Sequence, residues 1–521
     1  MTRFPLKFKD EYLWLSSVIF VGFVLRLYSF HHSYALNQDG MLYIQQAKAL
    51  HYGLYESLTK CYNYLNGLPV FISFSYRIFG DWLIAAKSVS LFFGTATMLP
   101  LYLLLRRFFV VEVACCALLV FAVNPIFVEM SSEVIRGPAY WFFLTLGMYL
   151  FALSDLNKPY TLPLSCISFM LACLFRFEGA IFLPVSLAFL LFFKKGKKWK
   201  EIALFLSPFI FLLILAISSL SLLHFDIKKW IYPRSVWEHF SRVVHTYPEI
   251  REGLEEIASS QTTFWRSHFL PKVKNLLWWL ALGAVIVEIA RAFFEPFFVL
   301  FLVGLKGAFR RVKQDKMMLY LVLFSIAAFL VLYFHVLSGW IMRKRFVALF
   351  LLPSFFVVGF GVEFLWTLLE KRFSLRKLHL LVLSALVIFA IGLPKILDGK
   401  REDSMVFQQI GKTVAARNKS SQIVNVGAAF DRDDIELVSF FGNLTVKEAP
   451  CVCDLAITIN PANFLQKFNK LNKKIHYLVW DEKNWTTDSL YRLRSLKMEG
   501  VEEINEWQDG RFGRLVLFQI N

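Results

Sequence analysis

Apolar runs of 13 to 24 residues, broken by short polar connections, fill the chain to about residue 393, after which the runs shorten and polar positions interleave them. Twelve such runs stand out, at residues 12–30, 82–105, 111–130, 138–153, 162–175, 180–193, 202–223, 276–289, 293–305, 317–337, 346–369 and 378–393. A membrane-crossing helix needs roughly 20 mostly apolar residues, and shorter ones cross when neighbours flank them. Run 276–289 follows "LPKVKN", carries the Trp278-Trp279 pair and ends near Glu288 and Arg291. That pattern predicts a helix lying flat at the headgroups and leaves about eleven crossings.

The stretch "LPLSCISFMLACLFRFEGAIFLPVSLAFLLFF", residues 162–193, decides one point of topology. As a single span it would bury Arg176 and Glu178 in hydrocarbon and move the lysine cluster after Phe193 to the opposite side. Two short helices with "RFEG" between them avoid both penalties. Beyond residue 393, "SQIVNVGAA", "CDLAITI", "KIHYLVW" and "GRLVLFQI" read as strands, and "DSMVFQQIGKTVAARNKS" reads as a helix. The expected organisation is a multispanning α-helical membrane domain at residues 1–393 and a small extracytoplasmic α/β domain at 394–521.

Composition agrees with lipid as the main solvent: 57% of residues are hydrophobic, 18% are charged, 56 are Phe and the mean hydropathy is +0.52. A soluble enzyme is thereby excluded. The net charge of +18 would suit nucleic acid on one soluble face, but Lys and Arg fall in short clusters between apolar runs, so no nucleic-acid partner is expected. Cys115, Cys116, Cys166 and Cys173 lie inside apolar runs and read as small hydrophobes; Cys451 and Cys453 form a lone C-x-C pair.

Basic clusters at residues 3–9, 106–107, 194–200, 310–316 and 370–377 fall on one side when eleven helices are threaded in order, and that side is the cytoplasm. The first apolar run is too long for a cleavable signal and is expected to remain as an anchor. Four loops then face outward. They carry Asp39; Glu129, Glu133 and Arg136; Arg176 and Glu178; and His335, Arg343, Lys344 and Arg345. Two acids and several arginines would converge on one membrane-level cavity, which suits an anionic lipid-linked phosphate: guanidinium groups bind phosphate oxygens and a carboxylate takes a proton. The blander reading has Asp39 as a solvated cap, Arg343 and Arg345 as headgroup anchors, and Arg176 with Glu178 as an ion pair closing a turn. After Asp39, residues Met41 to Leu50 allow an amphipathic helix along the interface, with Tyr43 near Asp39.

Taken in order, "RLYSF", "NQDGMLYIQQAKAL", "SSEVIRGPAYWFF", "LFRFEGAIFLP" and "SGWIMRKRFVALFLLP" resemble the multispanning GT-C glycosyltransferases. Within them the chain is most similar to the family 39 group that includes protein O-mannosyltransferases and aminoarabinose lipid A transferases. The resemblance implies that Asp39 is the catalytic base or acceptor-positioning acid and Glu133 the second acid. It implies that Arg136, Arg176 and Arg345 hold donor phosphate, with Tyr43, Glu178 and Arg343 also lining the substrate site. The chain departs from its relatives in Phe177 for the Pro of R-P-E-G, in Phe346 for the Tyr of the late Arg-Tyr element, and in Gly40 where many have Glu. A role of that second acid is therefore absent or supplied by Glu133.

The resemblance implies transfer of a sugar from a polyprenyl-phosphate-linked donor to an extracytoplasmic protein, lipid or glycan, inverting, in the bacterial inner membrane. It leaves a divalent ion open, with Asp39 and Glu133 as its carboxylates. No nucleotide fingerprint is present; the glycines around Gly359 lie inside an apolar run and lack G-x-G-x-x-G. A lipid-linked substrate transporter or flippase is the competing class, predicting mid-membrane charges and symmetric halves. A membrane scaffold displaying its C-terminal domain is a third.

Overall fold

The computed structural model describes residues 8–33, 36–58, 66–156, 158–194, 198–223, 233–259, 264–398, 405–418, 422–448, 451–461, 474–495 and 500–520. Residues 3–7 of the first basic cluster and 195–197 of the lysine cluster lie outside them. The chain packs as two units, one of residues 1–29, 90–131 and 136–398, the other of residues 30–89, 132–135 and 399–521.

Helices dominate because in lipid every backbone N–H and C=O must find its partner within the segment. Among the described residues six are long and apolar enough to cross a membrane: Glu11–His32, Trp82–Arg106, Gly137–Ser154, His268–Phe293, Lys316–Gly339 and Lys377–Leu397. Lys344–Ser354 and Phe356–Phe373 form a seventh candidate, bent by 62° just after Pro353. The protein is a multi-pass membrane protein.

In the first unit, residues 162–193 form the two expected short helices, Leu162–Phe175 and Phe182–Phe193, joined by a 3-10 turn at Phe177–Ile181. Run 276–289 is the second half of one 30-residue helix, Phe264–Phe293, whose span His268–Phe293 is long and apolar enough to cross a membrane. The polar "LPKVKN" disguised this, because Pro271 sits inside the helix and does not end it. The chain breaks instead at Phe294, with φ of 65°, and the next helix, Glu295–Val312, ends in Arg310 and Arg311. That helix crosses Phe356–Phe373 with backbones almost touching. A Cβ on Gly304 would lie 1.9 Å from the Val357 carbonyl oxygen, and one on Gly361 2.1 Å from that of Leu300. The glycines near Gly359 thus serve close helix packing.

In the second unit, Asn37 starts the helix Gln38–Tyr52: its side-chain oxygen accepts from the Gly40 N–H at 2.7 Å. Gly53, at φ 73°, ends it, its N–H reaching back to the Ala49 and Leu50 carbonyls. The sequence suggests a helix with one wet face. The structure buries Gly40, Met41, Tyr43, Ile44, Gln45, Gln46, Ala47, Lys48 and Ala49, so burial runs around most of its circumference.

The C-terminal part of this unit holds a five-stranded mixed sheet, made of β1 (Val426–Ala428), β2 (Ala456–Thr458), β3 (Tyr477–Asp481), β4 (Val501–Asp509) and β5 (Gly513–Ile520). Its order is β2-β1-β3-β5-β4. β2, β1 and β3 run parallel, with Val426 opposite both Ala456 and Tyr477; β5 pairs antiparallel with β3 and β4. β3 is buried at all five positions, and Leu478, Trp480, Leu493, Val516 and Phe518 form part of the core. The helices Met405–Arg417 and Arg432–Gly442 pack on each other beside it.

Candidate active site

The expected site residues fall into two sets, one in each unit. The second unit holds Asp39, Tyr43 and Glu133; the first holds Arg136, Arg176, Glu178, Arg343 and Arg345.

Asp39 lies in the first turn of its capped helix, where the unpaired N–H groups favour an ionised carboxylate. It is half-buried. Tyr43, one turn on, is 2% exposed. The next residue, Gly40, explains the departure from the relatives. A Cβ there would lie 3.1 Å from both the Cβ and the carbonyl oxygen of Val134, and 2.9 Å from Leu36 Cδ1. The short segment 132–135 packs against the helix at the place a Glu side chain would occupy. Glu133 is the residue next to Val134 in that segment, and the Ile135 N–H closes its turn onto the Glu133 carbonyl at 3.1 Å.

Lys87 was not among the expected residues. It is buried, donates to the Ser33 and Phe30 carbonyls, lies 5.6 Å from the Phe30 ring centre and interacts electrostatically with Glu133. Its signal in the sequence was a lone lysine inside an apolar run, a placement that costs several kcal/mol unless paired.

In the first unit Arg176 is buried and fully engaged. One guanidinium nitrogen donates to the Arg345 carbonyl at 3.0 Å, a second pairs with Glu178 at 3.1 Å, and its carbon sits 4.7 Å from the Phe346 ring centre and 6.0 Å from that of Tyr140. Phe346 thus gives Arg176 an aromatic face to stack on. Phe177 does not abolish the RFEG turn: the Gly179 N–H bonds the Arg176 carbonyl at 3.0 Å, and Gly179 is buried beside Tyr140. Arg136, just before the helix Gly137–Ser154, acts electrostatically on Glu178. Arg343 is exposed just before the helix Lys344–Ser354, and Arg345 is half-buried. Among the described residues no three His, Cys, Asp or Glu side chains gather as a metal-binding group.

Residues 67–221 match the model of the family described as dolichyl-phosphate-mannose-protein mannosyltransferase. No curated protein sequence matches the chain. Among solved structures, the Archaeoglobus fulgidus oligosaccharyltransferase tethered to an acceptor peptide is 14% identical, with TM-score 0.57, over 91% of this chain and 69% of that one. ArnT from Cupriavidus metallidurans in the apo state is 12% identical, TM-score 0.56, over 98% of both chains. The same protein bound to undecaprenyl phosphate is 11% identical, TM-score 0.53, over 99% of both. The GT-C resemblance seen in the motifs is thus met twice, by a family match over residues 67–221 and by a fold shared with these enzymes along almost the whole chain.

Proposed function

We propose that this chain is a GT-C membrane glycosyltransferase that moves a sugar from a polyprenyl-phosphate-linked donor to an extracytoplasmic acceptor, which is a protein, lipid or glycan. The observation that carries the reading is Asp39, held in the first turn of a capped helix against which the Glu133 segment packs, in a fold shared with an enzyme that binds undecaprenyl phosphate. The acceptor hydroxyl attacks the anomeric carbon and the bond from that carbon to the phosphate oxygen breaks. The polyprenyl phosphate leaves, and Asp39 takes the hydroxyl proton. Attack from the face opposite the leaving group inverts the anomeric centre. The leaving group needs no nucleotide, only neutralisation and orientation. Arg136 and Arg345 neutralise the phosphate, Arg176 fixes Arg345 through its backbone carbonyl, and Glu133 orients the acceptor. Tyr43, Glu178 and Arg343 border the substrates.

Eleven crossings follow when three shorter apolar helices (Val111–Val123, Pro159–Phe175 and Phe177–Phe193) and the 26-residue helix Lys198–Leu223 join the six long ones and the bent pair. The reacting loops and the C-terminal domain then lie outside the cytoplasm, in a bacterial inner membrane. Cys451 is disulfide-bonded, a state that an oxidising compartment maintains.

The test is transfer by the full chain in lipid nanodiscs, with a panel of polyprenyl-phosphate sugars as donors, guided by mass spectrometry of envelope glycans and lipids from a deletion strain. Loss of one sugar in that strain, with accumulation of its polyprenyl-phosphate form, is the expected result. Wild-type turnover from Asp39→Asn overturns the assignment.

A further inference from the structure

The C-terminal region of the second unit touches the Asp39 helix at two places. At the start, the Gln38 side-chain amide donates to Asp433 Oδ1 at 2.5 Å and to Glu436 Oε2 at 3.1 Å. Ten residues further along the first helix and just past the end of Arg432–Gly442, the buried Lys48 ammonium donates to the Leu444 carbonyl at 2.9 Å and the Asn443 carbonyl at 3.3 Å. Ten residues of helix measure roughly 15 Å, so Gln38–Tyr52 and Arg432–Gly442 run side by side, parallel and in register. Lys48 meets two carbonyls just past the C-terminus of its neighbour, the negative end of the helix dipole, which favours a cation.

The second helix is itself held. The Asn443 side chain accepts from the Val424 N–H at 2.8 Å and donates to the Val424 and Ser439 carbonyls at 2.9 and 2.8 Å, which ties the helix end to the chain entering β1. Glu436 pairs with Arg432 at 3.0 Å, and Arg511, in the β4–β5 turn, reaches Asp434 at 3.5 Å. A continuous set of bonds therefore runs from the sheet through Arg432–Gly442 to both ends of the helix that carries Asp39.

We propose that the C-terminal sheet domain is a splint for the reaction: Arg432–Gly442 fixes the position of Asp39, with Gln38 and Lys48 as the positioning residues. The inference rests on Asp39 being the reacting carboxylate. It gives the domain a task in catalysis without placing any of its side chains on substrate, and it accounts for a buried lysine near the end of a helix whose other buried residues are uncharged.

Two variants of the full chain test it in nanodiscs, Gln38→Glu, which sets a third carboxylate against Asp433 and Glu436, and Lys48→Met, which keeps the apolar stem and removes the donor. Hydrogen–deuterium exchange of residues 40–50 reads the splint, and kcat against KM for the donor reads its consequence. Both variants are expected to speed exchange in residues 40–50 about tenfold and to lower kcat by a similar factor at unchanged KM. Adding Asp433→Asn and Glu436→Gln to Gln38→Glu restores an amide–carboxylate pairing and should recover both. Unchanged exchange in both variants overturns the splint. Faster exchange with unaltered kcat overturns its link to Asp39. A wild-type protein inert toward every polyprenyl-phosphate sugar defeats the transferase reading and that link together, while the exchange measurement still decides whether the two helices are coupled.

Discussion

Gly40 and Val134 meet where a side chain on residue 40 has no room: a Cβ would sit 3.1 Å from the Val134 carbonyl oxygen, a backbone atom that cannot swing away. Gly40→Ala should therefore cost about 1 kcal/mol and Gly40→Glu about 2–3 kcal/mol, the range for overfilling a packed site. Transfer should fall further in Gly40→Glu than stability alone explains, because the inserted side chain pushes the Glu133 segment off the helix. Thermal unfolding and turnover of both variants, measured on the same preparation, check this. A Gly40→Glu protein as active as wild type would show that the segment's position is immaterial.

Asp39 is the second residue of its helix, past the Asn37 cap, so a neutral amide there loses only the helix-end interaction, about 0.3–1 kcal/mol. Asp39→Asn should accordingly leave the unfolding midpoint within a degree or two and lower turnover by about 10²–10⁴, the usual worth of a general base. Glu133→Gln should lower turnover less and raise KM for the acceptor, since an amide can still orient a hydroxyl. Single-turnover transfer separates the two effects.

Arg176 serves three partners pointing in different directions: the Arg345 carbonyl, the Glu178 carboxylate and the Phe346 ring. A lysine cannot reproduce that fork and plane. Arg176→Lys should cost about 1 kcal/mol, and Arg176→Leu about 2 kcal/mol, because the second removes the nearest cation from Glu178, whose carboxylate is partly screened by solvent. Glu178→Gln in the Arg176→Leu background should recover part of the loss. Phe346→Leu should weaken donor binding through the same brace, read as a higher donor KM.

What could be read from the sequence was whatever the local chain dictates. "RFEG" announced a turn because an Arg and a Glu cannot sit mid-membrane, and the turn is there. The four β-rich runs all appear in the sheet, and Asn37 marks the start of the Asp39 helix. β4 escaped notice because it is an edge strand: "VEEINEWQD" carries Glu502, Glu503 and Glu506 toward solvent, with a bulge between Glu503 and Asn505, and such a strand has no apolar alternation to detect. The burial of the Asp39 helix was equally invisible, since what covers Gln38 and Lys48 lies nearly 400 residues away along the chain. At the site, the acids and arginines could be named one by one. Lys87, and the commitment of Arg176 to Arg345, depend on contacts between distant segments.

Lys48 makes the last prediction, and its sign needs care. It is 3% exposed, its hydrogen-bond partners are neutral carbonyls, and burial pulls its pKa from 10.5 down to about 8. Between those values the unfolded chain keeps the proton and the folded chain has released it, so stability rises with pH across the window and levels off above 10.5. Below about 8 both states are charged, and the cost of burying the ammonium, roughly 3 kcal/mol from the size of the shift, is present in full. Denaturant unfolding followed between pH 7 and 10.5 should show this gain against the background of the other lysines. Lys48→Met removes the titrating group and its two hydrogen bonds together, so its stability should lack the rise that wild type shows between pH 8 and 10.5. An identical pH dependence in wild type and Lys48→Met would mean that Lys48 keeps its proton as readily in the folded protein as in the unfolded chain.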